Sequence, residues 1–247
     1  MFDKSPVIVG GNGHSGTRVF IEIIGHAGFN TGVPLLTKRR HSEDLRIIDL
    51  LNRWVHPFIN GQLDEFMQRR MARTFARRLR LYFPFRRRPW GFKNPRCMLI
   101  LPALHQLFPD MKFVHVIRDG RDIALGNELI ASNMYLDAFL DSAERSLPIE
   151  QKMILFWGRS NERARQYGSM AMGDRYRMFR WEDLCRDRSR VTAELIAFAG
   201  GRSAAAAGAS RLVSIPGSMG RWSEFPAQLR DAVSERGQYW LSLFGYT

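Results

Sequence analysis

Eight residues near the N-terminus, Gly11-Asn12-Gly13-His14-Ser15-Gly16-Thr17-Arg18, are of the types that hold a phosphate. Glycines let successive backbone N–H groups converge on an anion, and a helix that follows adds the positive end of its dipole. Gly11 and Gly16 have the separation of a Walker A loop, yet Thr17 and Arg18 stand where that loop has Lys and then Ser or Thr. The lysine that reaches the outer phosphates and the hydroxyl that holds Mg²⁺ are therefore missing in that register. A dinucleotide fingerprint fits worse, because Gly11-x-Gly13-x-x-Gly16 lacks an acid about 20 residues on. The chemistry indicated is anion binding where a strand meets a helix. A plain tight connection is the bland alternative.

The elements that would position this loop are legible around it. Pro6-Val7-Ile8-Val9-Gly10 is a short apolar run broken by glycine, the pattern of a strand buried on both faces, and residues 19–27 are apolar enough for a helix. A second strand is expected at 112–117, leading into Arg118-Asp119-Gly120-Arg121-Asp122 and a helix over 123–130. It ends in Arg118 instead of the acid that would hold a metal. A third strand is expected at 176–180, ending at Trp181-Glu182-Asp183-Leu184, and a short fourth at Trp90-Gly91-Phe92-Lys93. Residues 96–107, 149–167 and 191–199 show helical spacing. Strands alternating with helices predict an α/β fold, with a mainly parallel central sheet covered by helices on both faces.

Residues 42–88 interrupt the alternation and read as a helical insertion in a single domain spanning 1–247. Ser42-Glu43-Asp44 can cap a helix running to about residue 55. Leu63, Met67, Met71, Phe75 and Leu79 then form an i+4 stripe flanked by arginines. Residues 200–220, rich in Gly, Ala and Ser, read as a loop before a last helix at 227–243.

Of the 247 residues, 37 are Lys or Arg and 24 are Asp or Glu, a net charge of +13, while 45% are hydrophobic. That apolar share supports a real core and excludes disorder as the overall description. Cys97 and Cys185 cannot make a disulfide framework, which favours a reducing compartment. No apolar run approaches the roughly 18 residues of a membrane span, and the first six residues do not resemble a signal peptide. A soluble cytoplasmic protein with an anionic partner is expected. Residues 63–90 hold nine arginines against Asp64 and Glu65, a net +7. Beside an apolar stripe, they suit peripheral contact with an anionic membrane surface or a charged glycan, or only a solvated face. No nucleic-acid reader motif accompanies them.

Further segments change the weighing. Gly91-Phe92-Lys93-Asn94-Pro95-Arg96, then Leu101-Pro102-Ala103-Leu104, then Phe108-Pro109-Asp110 through Ile117-Arg118-Asp119-Gly120-Arg121-Asp122-Ile123-Ala124 closely resemble sulfotransferases that use 3′-phosphoadenosine 5′-phosphosulfate (PAPS). Gly13-His14-Ser15-Gly16-Thr17 is similar to the family's phosphosulfate-binding loop, Arg180-Trp181-Glu182-Asp183-Leu184 to its R-Y-E-D-L segment, and Gly220-Arg221-Trp222 to its late G-x-W element. The segments fall in family order and cover most of the chain, with 42–88 and 132–170 least matched.

The resemblance implies a P-loop-like sulfotransferase fold, PAPS as donor, no metal, and a hydroxyl acceptor on a glycan, lipid or small metabolite. PAPS has a 5′-phosphosulfate and a separate 3′-phosphate, so two anion sites are needed. Gly13, His14, Ser15, Gly16, Thr17 and Arg18 would hold the first, and Arg118 the second, with Arg121 and Arg221 beside it. Trp181, in place of the family's tyrosine, would stack on adenine or be a core tryptophan. Lys93 matches a family lysine near the moving sulfate. Three departures stand out. The serine expected eight residues after Arg118 is Gly126, leaving Asn127, Ser132 or backbone to replace its hydroxyl. His14 stands where many members have Lys or Arg, and would act as cation, acid or base, or as a turn residue. The position of the cytosolic members' histidine base is Pro95. Glu43, with Asp44 and His41 behind it, resembles the Glu-Asp pair of some bacterial-type members and is the candidate general base. A degenerate P-loop nucleotide kinase and a non-catalytic nucleotide- or anion-binding protein on the same fold are the alternatives.

Overall fold

The computed structural model describes residues 5–32, 45–82, 88–126 and 133–246. In chain order the elements are β1 (Val7–Gly11), α1 (Thr17–His26), α2 (Leu45–Ile59), α3 (Glu65–Tyr82), β2 (Gly91–Lys93), α4 (Leu101–Leu107), β3 (Lys112–Ile117) and α5 (Gly120–Ala124). There follow α6 (Asn133–Leu136), α7 (Ile149–Tyr167), β4 (Tyr176–Arg180), α8 (Trp181–Arg186), α9 (Arg188–Ala199), α10 (Ala206–Ala209) and α11 (Ala227–Leu243). The four strands form one sheet in the order β2-β1-β3-β4, and every pairing is parallel.

Strand periodicity sorts the core into two layers. Side chains alternate across a pleated sheet. Val7, Val9, Val114 and Val116 therefore face one way, onto α1 residues such as Phe20 and Ile24 and onto Leu195 and Ile196 of α9. Ile8, Phe92, Phe113 and Ile117 face the other, onto α4, α5, α7 and α11. His115 shares the parity of Phe113 and Ile117, so its imidazole is aimed at α7.

The insertion packs as two helices on this second layer. Trp54 of α2 meets Phe75 of α3 with ring centroids 5.5 Å apart, and Phe75 meets Phe92 of β2 at 5.9 Å. The stripe is buried at Phe75 and Leu79, but its first turn runs past the partner surface and leaves Met67 39% and Phe66 72% exposed.

Three expectations need correcting. Residues 96–107 are not one helix: a 3-10 turn at Pro95–Met98 precedes α4, where Pro102 in the first turn supports a fresh start. The helix expected at 123–130 begins earlier, at Gly120, capped by Asp119, and α5 ends at Ala124, while 127–130 lie outside the described residues. Residues 200–220 are not plain loop. Short helical turns occupy 203–212, where the alanines at 204–207 favour helix and Ala209 is buried in the first layer.

Candidate functional site

Because all four strands run parallel, their carboxyl ends lie along one edge, the place where open α/β sheets bind ligands. The register puts Val9 beside Lys93 and Gly11 beside Val116. The glycine loop thus sits between Lys93, at the end of β2, and Arg118, just after β3. Trp181 opens α8 directly after β4. Four segments distant in sequence converge here.

The loop turns through the left-handed region twice, at His14 (φ 66°) and Gly16 (φ 83°). At position 16 a glycine is doubly required. A Cβ there would also lie 2.5 Å from the indole of Trp181, which forms the floor under the loop at 3% exposure and packs on Phe20. Gly16 caps α1 without a side-chain hydrogen bond, and no acid lies in the helix's first turn, so the dipole there favours an anion. The Ser15 hydroxyl is buried and, among the described residues, lacks a hydrogen-bond partner. A cradle with a buried, unsatisfied donor fits a phosphate or sulfate oxygen. Thr17 is buried, Arg18 and Gly13 are half-buried, and His14 is exposed.

Lys93 is buried at the edge of the cradle. Next to it, Asn94 uses Oδ1 to accept the Arg96 N–H at 2.9 Å, while its buried Nδ2 has no partner among the described residues. A small cavity of about 70 Å³ opens beside the loop, lined by Gly11, Asn12, Gly13, Pro95, Arg96 and Tyr135 among others. The Tyr135 hydroxyl donates to Asn52 Oδ1 at 3.2 Å, and burial raises its pKa against the influence of Arg96.

Arg118 is a tie rod. Its Nη1 donates to the His14 carbonyl at 3.3 Å, and its Nη2 to Asp122 Oδ2 at 2.9 Å and to the Ser218 carbonyl. Its buried Nε has no partner among the described residues. Asp122, only 1% exposed in its side chain, also accepts the Gly220 N–H at 2.8 Å and the Trp222 N–H at 3.0 Å. One carboxylate therefore joins the guanidinium to the G-x-W turn that carries Arg221. Trp222 lies 3.7 Å from the Arg121 guanidinium, whose Nε and Nη2 are committed to Asp119 at 3.0 and 2.8 Å. The Asp119 N–H donates to Glu182 Oε1 at 2.9 Å, and Glu182 Oε2 accepts the Tyr246 hydroxyl at 3.0 Å. Burial pushes the Glu182 carboxyl above its usual range. Arg121 thus sits in a buried, stacked ion pair where the sequence suggested an exposed salt bridge as its bland reading. At Gly126 a Cβ would lie 2.9 Å from the Asp122 carbonyl, so this backbone has no easy room for the family's serine. Glu43, Asp44, His41, Asn127 and Ser132 lie outside the described residues.

The sequence reading missed a second polar set behind the loop. Tyr176 donates its hydroxyl to His115 Nδ1 at 2.6 Å, and His115 Nε2 faces Asn161 Oδ1 at 2.8 Å. Asn161 Nδ2 donates to Asn12 Oδ1 at 2.5 Å and to the Trp157 carbonyl at 2.7 Å, while Asn12 Nδ2 donates to Ser160 Oγ at 3.2 Å. Burial lowers the His115 pKa to about 4, so the ring is neutral. The one sequence signal was a histidine in an otherwise apolar strand. Its partners, Asn161 on α7 and Tyr176 on β4, lie 46 and 61 residues away and could not be read off.

Comparison with known proteins agrees with this geometry. A family model described as "Sulfotransferase family" matches residues 6–202. Among solved structures, a sulfotransferase of Mycobacterium avium superposes with a TM-score of 0.62 at 14% identity, covering 99% of this chain and 78% of that one. The sulfotransferase domain from the curacin biosynthetic pathway gives 0.59 at 13% identity, covering 99% of both chains. A sulfotransferase of Alicyclobacillus acidocaldarius gives 0.53 at 15%, covering 97% and 93%. No curated protein matches the sequence. With its parallel sheet, its left-handed glycine loop and a family match over residues 6–202, the chain belongs to the sulfotransferase family.

Proposed function

We propose that this sulfotransferase moves a sulfuryl group from PAPS to a hydroxyl acceptor on a glycan, lipid or small metabolite. The observation that carries the reading is the pairing of two adjacent parallel strands. β1 ends in a left-handed glycine loop with a buried, unsatisfied Ser15 hydroxyl, and β3 ends in the buried Arg118. A nucleotide with anions at its 5′ and 3′ positions needs two such sites.

In this reading Gly13, Ser15, Gly16, Thr17 and Arg18 hold the 5′-phosphosulfate, His14 lies at its outer side, and Trp181 supports the loop from beneath. Arg118 and Arg221 serve the 3′-phosphate. Asp119 holds Arg121, which braces Trp222. PAPS supplies the activated sulfuryl group, and its transfer needs mainly positioning and charge stabilisation. Lys93 neutralises charge on the bridging oxygen as the bond breaks, and the acceptor enters beside Pro95, Arg96 and Tyr135. Glu43 is the proposed base. Calorimetric titration with adenosine 3′,5′-bisphosphate tests the reading. Micromolar binding without added metal supports it, whereas no binding, or tighter binding of ATP with Mg²⁺, refutes it.

A further inference from the structure

We infer that the buried chain Tyr176–His115–Asn161–Asn12 is a positioning device for the phosphate loop, holding it in the shape that receives the donor's 5′ end. The inference rests on the donor-site reading above.

The chain has one consistent set of hydrogen-bond directions. Asn161 Nδ2 lies 2.5 Å from Asn12 Oδ1 and 2.7 Å from the Trp157 carbonyl, both acceptors, so it must be the amide nitrogen. The Asn161 oxygen therefore faces His115, whose Nε2 must carry the proton. Nδ1 is then the acceptor, and Tyr176 is the donor. At the far end Asn12 Nδ2 donates to Ser160 Oγ, which donates to the Trp157 carbonyl at 3.3 Å. Every link is satisfied, and none needs a charge. The neutral ring is secured by burial, which keeps it unprotonated down to about pH 4.

Such a network is costly to build. A polar group buried among apolar side chains costs stability unless it is paired, and apolar residues of the same shape would serve stability as well. A fully paired network supplies a single orientation. Asn12 is the first loop residue after β1. The glycines at 13 and 16 have no side chain to tether, and the Ser15 hydroxyl has no partner among the described residues. The Asn12 side chain fastens the loop to α7, a nineteen-residue helix, and through His115 to the interior of the sheet. Its carbonyl accepts the Ser15 N–H at 3.3 Å, so fixing Asn12 also fixes the turn that presents the Ser15 hydroxyl.

The test compares adenosine 3′,5′-bisphosphate, which engages the loop through its 5′-phosphate, with adenosine 3′-monophosphate, which lacks that group. Both are titrated by NMR into wild type, Asn12→Ala, His115→Leu and His115→Gln. Asn12→Ala and His115→Leu are expected to weaken the bisphosphate at least tenfold and to change the monophosphate less than twofold. His115→Gln, whose amide N–H reaches the Nε2 position, is expected to retain binding within twofold. If Asn12→Ala binds the bisphosphate like wild type, or if it weakens both ligands equally, the device is refuted while the donor site stands. If wild type binds neither ligand, the donor-site reading falls and takes the device with it. Should His115→Leu fail to fold, Asn12→Ala carries the test, because its site lies at the edge of the core.

Discussion

Two regions of this molecule are rich in arginine and use it in opposite ways. At the carboxyl edge of the sheet, Arg118 and Arg121 are almost fully buried, each against its own aspartate; Asp122 in turn accepts the backbone N–H groups of Gly220 and Trp222, and the Asp119 N–H donates to Glu182. On α3, Arg69, Arg70, Arg73, Arg77, Arg78 and Arg80 are all exposed, and the Arg69–Glu65 pair lies in solvent. The same residue type is a structural tie in one place and a surface field in the other. The difference lies in desolvation. A buried guanidinium needs acceptors within the fold to offset its lost hydration, whereas a solvated one is screened within about 10 Å at ordinary salt and fixes nothing.

The sharpest way to break this comparison is to remove Asp122. Asp122→Ala leaves a buried guanidinium and two backbone N–H groups without their acceptor, and breaking a buried pair typically costs about 3–5 kcal/mol. Urea unfolding should show a loss of that size, with weaker binding of adenosine 3′,5′-bisphosphate. A loss below about 1 kcal/mol would mean that the tie is not structural.

Lys93→Ala comes next. It should lower sulfuryl transfer by about 10²–10³-fold, the usual effect of removing one charge-stabilising group, while nucleotide binding changes little. Equal losses in binding and transfer would make Lys93 a donor-binding residue instead.

His115 sharpens the comparison through pH. Its pKa falls from 6.5 to about 4 on folding, chiefly by burial. A depressed folded pKa adds stability that is present above pH 6.5 and lost as pH falls through 4. The drop is worth about 3 kcal/mol. Acid unfolding curves of wild type should show this loss between pH 6.5 and 4, and His115→Gln should lack it. An unchanged curve in the variant would place the acid sensitivity elsewhere.

A smaller effect is expected from Gly126→Ser, which restores the family's residue. With a Cβ 2.9 Å from the Asp122 carbonyl, the backbone must shift, and overpacking of this kind typically costs about 1–3 kcal/mol. Tighter nucleotide binding at full stability would show that the serine is accommodated. The least effect belongs to α3. Changing Arg70, Arg73 and Arg77 to Glu should leave nucleotide binding and the unfolding midpoint unchanged. If that face meets an anionic membrane, wild type binds phosphatidylglycerol vesicles at low salt and the triple variant does not. Absence of binding by wild type overturns the membrane contact and leaves a charged glycan or solvent.

Much of the fold was legible because it is written in local periodicity. Residues 112–117, 176–180, 149–167 and 227–243 form the expected elements at the expected limits. Limits failed where a proline or an alanine run decided the local structure, at 95–102 and 203–212, and where the Asp119 cap starts α5 early, at Gly120. The site was partly legible for a related reason. A glycine loop after a strand and a basic residue at a strand end are contiguous motifs. The acceptors that orient them are not. Asp122 was visible only as part of a motif, and Asn161 looked like any polar residue of an amphipathic helix.

By itself the sequence determined the parallel α/β frame, the place of the loop and the basic strand ends, because alternation, glycine and charge act over a few neighbouring residues. Only the tertiary structure decided what those charges do. It paired Arg118 with Asp122 and Ser218, placed Trp181 under Gly16, and ran a neutral hydrogen-bond chain from Tyr176 to Asn12. Burial is a property of the packed whole. It separates an arginine that must find an acceptor from one that water satisfies.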